Sequence, residues 1–137
     1  MKFGEVRFSN GKIKQIIAKH MDSFKVQDLL EKAYALFNDR DMEGIIMLMD
    51  PEVRWPNGWE GGYVEGHPGV RDYWQRQWRE IDPKVFPVKI SQLGDGRVEV
   101  IVHQLVKDLK GNLLIDNRIR HLYTFKNDLI KNMEIEN

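Results

Sequence analysis

The stretch from Leu36 to Trp55, together with Gly66 to Trp74 beyond it, limits what this chain can fold into more than any other part. Its grammar is the end of an amphipathic helix, a short second helix, an edge-type strand closed by Pro56 and a third helix opened by Pro68. Ahead of it, Val26, Leu29, Leu30, Ala33, Tyr34 and Phe37 recur at helical spacing, with Asp28, Glu31 and Lys32 on the other side. Asp41 has the chemistry of an N-cap for a second helix carrying Ile45, Ile46, Leu48 and Met49, which Asp50-Pro51 stops. Val53-Arg54-Trp55 reads as a brief strand. Five glycines between Gly58 and Gly69 leave no helical period, so this stretch reads as a loop at the mouth of a cone. Val70, Tyr73, Trp74, Gln77 and Trp78 then form one face of a third helix.

After Pro83 the apolar period switches from helical to two. Val85 to Leu93, Arg97 to Leu109, Leu113 to Lys126 and Leu129 to Glu136 are four strand runs, separated by Gly94-Asp95-Gly96, Lys110-Gly111-Asn112 and Asn127-Asp128. Helices followed by such a meander predict an α+β fold, with three N-terminal helices packed on a curved antiparallel sheet. The first residues differ in character. Asn10-Gly11 between short runs signals a hairpin, and Lys12 to Met21 could equally wind into a basic helix. Residues 1–24 therefore read as an N-terminal extension and residues 25–137 as the domain proper.

A chain of 137 residues has room for one such domain. Twenty-one basic and twenty-one acidic residues cancel, so no global field draws in nucleic acid or an acidic membrane. The lack of cysteine removes thiolate catalysis, disulfide scaffolding and cysteine-ligated metals. Four histidines at 20, 67, 103 and 121 fall in no metal-ligand spacing, and no nucleotide or phosphate loop occurs, so no metal or cofactor is expected. With no apolar run of signal or membrane length, the sequence reads as cytoplasmic.

Three segments carry a family likeness: Phe37-Asn38-Asp39-Arg40-Asp41-Met42-Glu43-Gly44-Ile45, Asp50-Pro51-Glu52-Val53-Arg54-Trp55 and Gly66-His67-Pro68-Gly69-Val70-Arg71. With the closing meander, they make the chain from about Val26 onward resemble the SnoaL-like branch of the nuclear transport factor 2-like superfamily, which includes the ketosteroid isomerases. The resemblance implies a cone-shaped, cystatin-like α+β barrel and a homodimer joined through the outer sheet face. The superfamily spans isomerases, dehydratases, cyclases, epoxide hydrolases and proteins that only bind, so the fold leaves activity open. The isomerase chemistry needs a base and two oxyanion donors in the cone. Matching Phe37-Asn38 to that branch puts its helix-one tyrosine at Ala33, with Tyr34 about 100° round the helix. The base position falls at Trp55 or Pro56, and the second donor at His121. The isomerase constellation is therefore not expected here.

Hairpin register predicts what replaces it. A three-residue loop at Leu109-Lys110-Gly111 sets Asp108 opposite Asn112 and His103 opposite Asn117. Period two then gathers His103, Asn117, His121 and Tyr123 with Ile101, Leu105, Ile115, Ile119 and Phe125 on the cone face, leaving Val98, Val100 and Val102 outside. A slip of one residue would undo that grouping. His121 and His103 are the candidate acid/base groups, each with a purely structural alternative. Tyr34, Trp55, Trp59, Tyr63, Asn117 and Tyr123 are the candidate ligand contacts, with Trp55, Trp59 and Tyr63 forming an aromatic mouth. Two functions follow. One is an isomerase, cyclase or dehydratase acting on a small apolar or aromatic metabolite through His121. The other is a non-catalytic ligand-binding or dimerisation module.

Overall fold

A computed structural model describes residues 10–136, with side chains described for residues 23–136. Helix α1 (Asn10–Asn38) leads into α2 (Met42–Ile46), strands β1 (Met49–Pro56) and β2 (Tyr63–Glu65), and α3 (Gly66–Glu80). Strands β3 (Ile81–Gln92), β4 (Val98–Asp108), β5 (Leu113–Lys126) and β6 (Leu129–Glu136) complete the chain. They form one curled six-stranded sheet in the order β2-β1-β6-β5-β4-β3. The four-strand meander is antiparallel as expected, but β1 runs parallel to β6, so the sheet is mixed. The three helices all precede β3, with β1 and β2 lying between the second and the third. The first arm of the N-terminal hairpin reading, Val6 to Phe8, lies outside the described residues.

The core is built where these elements face one another. Leu30, Ala33 and Tyr34 of α1, Val70, Tyr73 and Trp74 of α3, and Val98, Val100 and Val102 of β4 are all buried. Asp41 caps α2 as the sequence indicates, its side chain accepting from the Gly44 backbone N–H at 3.0 Å. The glycine-rich stretch is more ordered than a loop. Tyr63, Val64 and Glu65 pair with Pro56, Trp55 and Arg54, and α3 begins already at Gly66, ahead of Pro68. Gly66 has φ +71°, and a Cβ there would come within 3.3 Å of the Pro51 carbonyl, so a glycine is required at this corner.

Two side chains at the end of α1 fix the helix against β3. Arg40 pairs with Asp82, donates to the Pro83 carbonyl at 2.7 Å, and lies over the rings of Phe37 and Trp78. Asn38 acts as a one-residue strand: its Nδ2 donates to the Val85 carbonyl at 2.7 Å and its Oδ1 accepts from the Val85 N–H at 2.9 Å. Both Val85 backbone groups depend on that amide, because the other edge of β3 is spent on β4. Asn38→Leu should therefore lower the unfolding free energy by about 2 kcal/mol in urea titrations. A change below about 0.5 kcal/mol would mean that water replaces the amide.

Candidate functional site

The curl of the sheet over α1 and α3 leaves a cavity of about 480 Å³. Helical spacing on α1 presents Ala33, Tyr34 and Phe37 to it, and α3 presents Tyr73, Trp74 and Gln77. Alternation along β5 presents Ile115, Ile119, His121 and Tyr123, while β1 ends there with Trp55 and Pro56. Gly58, Trp59, Gly62 and Tyr63 line the opening. The buried Asn57 holds this turn: its Oδ1 accepts from the Glu60 N–H at 2.7 Å and the Trp59 N–H at 3.2 Å. Glu60 in turn pairs with Arg76 of α3 at 2.6 Å, and that guanidinium, followed by the Asn57 amide, holds the carboxyl below its ordinary range. Trp59 and Tyr63 are thus both positioned and partly exposed at the mouth. Among the described residues no aspartate, glutamate, lysine or arginine lines the cavity.

The polar content of the wall is a chain of three side chains. Tyr123 Oη donates to Tyr34 Oη at 2.8 Å, and Tyr34 Oη lies 2.7 Å from His121 Nδ1. The Tyr34 and His121 rings are nearly coplanar in orientation, 17° apart, with Tyr123 set edge-on to Tyr34. Burial lowers His121 from 6.5 to about 3, so the imidazole is neutral throughout the physiological range. Burial likewise raises both phenols, in Tyr34 with help from Tyr123 beside it. Tyr73 is pushed up to about 12, again chiefly by burial. The wall thus offers neutral hydrogen-bonding groups in an aromatic surround.

Tyr34, Trp55, Trp59, Tyr63, His121 and Tyr123 are brought together at this cavity. Tyr34 is turned inward beside Ala33, so helix one does supply a buried hydroxyl, contrary to the expectation from the isomerase pattern. His103 and Asn117 do not line the cavity. The turn forms as expected, with the Asp108 N–H donating to the Asn112 carbonyl, but the register then shifts between Lys107, opposite Leu113, and Val106, opposite Ile115. Leu114 is the extra residue. That bulge pairs His103 with Arg118 instead of Asn117 and puts Val98, Val100 and Val102 inside, so His103 falls on the outer face, where it meets Asp116 at 2.7 Å. Asn117 keeps the parity of His121 but is exposed and accepts from Gln104 Nε2 at 3.2 Å. His67 Nε2 is 2.9 Å from the Met49 carbonyl, a structural contact at the start of α3.

Gln77, Tyr73 and Gln104 are wall residues that the sequence reading did not single out as ligand contacts. Gln77 could have been found as the polar member of the apolar α3 stripe. Its Nε2 donates to Tyr73 Oη at 3.1 Å, while its Oε1 is buried with no hydrogen-bond partner among the described residues. No group of three or more histidines and carboxylates among the described residues could hold a metal ion. Among those residues no helix is long and apolar enough to cross a membrane.

The family model for the SnoaL-like domain matches residues 30–133. No curated protein matches the chain in sequence. Among solved structures, TerC co-crystallized with polyporic acid is 28% identical, over 81% of this chain and 89% of its own, with a TM-score of 0.71. The epoxide hydrolase/cyclase-like enzyme SalBIII, described as acting in pyran ring formation in the polyether salinomycin, is 16% identical over 84% of this chain and 92% of its own, at a TM-score of 0.72. A Mycobacterium tuberculosis protein in complex with estradiol-17beta-hemisuccinate is 16% identical over 80% of this chain and 90% of its own, at 0.68. At 16% identity the last two likenesses concern the fold alone.

Proposed function

We propose a small-molecule site for this chain, which belongs to the SnoaL-like domain family: a neutral, largely apolar or aromatic ligand enters past Trp59 and Tyr63 and is fixed by His121. The observation that carries this reading is the combination of a cavity of about 480 Å³ that no ionised side chain lines among the described residues and one buried polar chain in its wall. An ionised ligand would lose its hydration there with no countercharge to replace it, whereas a flat neutral ring meets aromatic faces on several sides. Polyporic acid in TerC and the estradiol ester in the mycobacterial protein support a small organic ligand. On this reading residues 25–137 form the ligand-binding cone, and residues 1–24 an extension of it, in a cytoplasmic protein.

Catalysis of an isomerase, cyclase or dehydratase type belongs to the same proposal, with His121 as the acid/base group. Among the described residues the wall holds no carboxylate, and His121 is its side chain with an ordinary pKa closest to neutrality. The second reading, a non-catalytic binding module, is favoured by the same missing carboxylate. Titration with the neutral fluorophore N-phenyl-1-naphthylamine tests the shared premise. One saturable site per chain is expected, weakened about tenfold or more in Trp59→Ala, and an absence of saturable binding would overturn the site. Given a turned-over substrate, His121→Gln should reduce kcat by about a hundredfold or more. An unchanged kcat leaves the binding module.

The outer sheet face supports a homodimer as the family resemblance implies. It carries exposed Phe86 beside His103 and a network in which Arg120 pairs with both Glu99 and Glu136. Light scattering should give about twice the 16.2 kDa chain mass, and a monomer at micromolar concentration would remove the dimer.

A further inference from the structure

We propose that the Tyr123–Tyr34 pair fixes His121 as the Nε2–H tautomer, so that the cavity selects a neutral ligand presenting an unprotonated oxygen, such as an aryl ketone or a quinone carbonyl. The ligand half of this inference rests on the proposed small-molecule site, while the tautomer half stands on the protein alone.

The assignment follows from counting protons. Each phenol has one. Tyr123 spends its proton on the Tyr34 oxygen at 2.8 Å, and that oxygen then has its own proton to place. The atom within reach is His121 Nδ1 at 2.7 Å. If Nδ1 carried a hydrogen instead, it would donate to the Tyr34 oxygen, the Tyr34 proton would turn back to the Tyr123 oxygen, and the Tyr123 proton would be left without an acceptor among the described residues at a side chain that is 2% exposed. An imidazole that accepts at Nδ1 and is neutral carries its hydrogen on Nε2. His121 lines the cavity, and its Nε2 has no hydrogen-bond partner among the described residues. The free valence is thus a donor.

That direction has a chemical consequence. Proton donation into Nδ1 draws electron density from the ring and strengthens Nε2–H as a donor, as successive hydrogen bonds polarise one another in a dry site. The atom it meets must accept. A carbonyl oxygen does so without bringing charge into a wall that has no cation among the described residues to meet it, and a ligand whose inner end is only an N–H donor would face Nε2–H donor to donor. Tyr34 and Tyr123 are positioning residues here: they act on the ligand through the tautomer of His121.

Two measurements test this together. In ligand-free protein, 15N NMR of His121 should show a pyrrole-type Nε2 and a pyridine-type Nδ1. Phe in place of Tyr34 (Y34F) removes the donor to Nδ1, and Y123F frees the Tyr34 oxygen to accept from His121, so both variants should show mixed tautomers. If Y34F fails to fold, Y123F still reads the effect. Binding is compared with 2-acetylnaphthalene and 2-isopropenylnaphthalene, which have the same shape and differ in C=O against C=CH2. The wild type should prefer the ketone by about tenfold, and the preference should shrink to about twofold or less in Y123F. An Nδ1–H tautomer, or equal affinity for the two probes in the wild type, overturns the inference while leaving the cavity as a binding site. Binding of neither probe overturns the small-molecule site and the ligand half with it, a result that the tautomer spectrum distinguishes from the first.

Discussion

Trp74→Ala should lower the unfolding free energy by about 4 kcal/mol, one of the two largest single effects expected in this domain. Trp74 is 1% exposed and sits where three elements meet. Its ring packs edge-on against Phe37 of α1 at 5.3 Å and Trp55 of β1 at 5.5 Å, and stacks on Trp78 of its own helix at 5.7 Å. Truncation removes the burial of the indole and three ring contacts, each adding about 0.5–1.5 kcal/mol beyond area. The space left behind joins a cavity that already exists, so the surroundings have little reason to collapse into it. Urea unfolding followed by far-UV circular dichroism measures the loss. A change under about 1.5 kcal/mol would mean that α3 does not hold α1 to β1 through this ring. The same substitution enlarges the cavity, so on the proposed small-molecule site large probes should bind Trp74→Ala better than the wild type if it remains folded.

The contrast between what the residues announced and what they concealed has a physical basis. The helix over Val26 to Phe37 was legible because one apolar stripe at helical spacing has a single way to be buried. The four-strand meander was legible because its turns are marked by glycine, asparagine and aspartate. The faces of β4 were not, because both of its rows carry aliphatic side chains: Val98, Val100 and Val102 in one, Ile101 and Leu105 in the other. Only register against β5 decides between them, and register was shifted by one residue at Leu114. Nothing in Leu113-Leu114-Ile115 distinguishes a bulge from a regular strand. Hence His121 and Tyr123 lie on the face that alternation along their own strand indicates, while His103, whose face depends on the pairing, lies on the other.

Tyr34 shows a different limit. A match to a motif tests one helical position, but the buried face of α1 is wide enough to bury both Ala33 and Tyr34. The hydroxyl therefore reaches the cavity from a neighbouring position and meets His121 there. Fold stability and site chemistry share residues for the same reason: Trp74 is both core and wall, and Tyr34 is both a buried anchor of α1 and the partner of His121 in the cavity.

That sharing makes His121 a determinant of pH stability, and the second large effect is a loss of about 2 kcal/mol between pH 7 and pH 5 attributable to this side chain. In the unfolded chain the imidazole has its ordinary value of 6.5, whereas burial lowers it to about 3 in the fold. Between those values the unfolded state binds the proton and the folded state does not. Stability therefore falls as the pH drops below 6.5, and continues to fall until the pH nears 3. The groups facing the ring are Tyr34 from α1 and Tyr123 from β5, both held protonated over this range, and among the described residues no carboxylate lines the cavity to stabilise an imidazolium. Other histidines also titrate in the unfolded state, so the informative quantity is the difference between wild type and His121→Gln. The variant should be the less stable protein at pH 7, where it loses the Tyr34 contact in its native form, and the gap should close by about 2 kcal/mol at pH 5. Parallel stability curves from pH 7 to 5 would mean that His121 takes up its proton within the fold, which would open an imidazolium-based acid to the chemistry of the cavity. A closing gap means that the fold keeps the ring neutral and confines its chemistry to what a neutral imidazole can do.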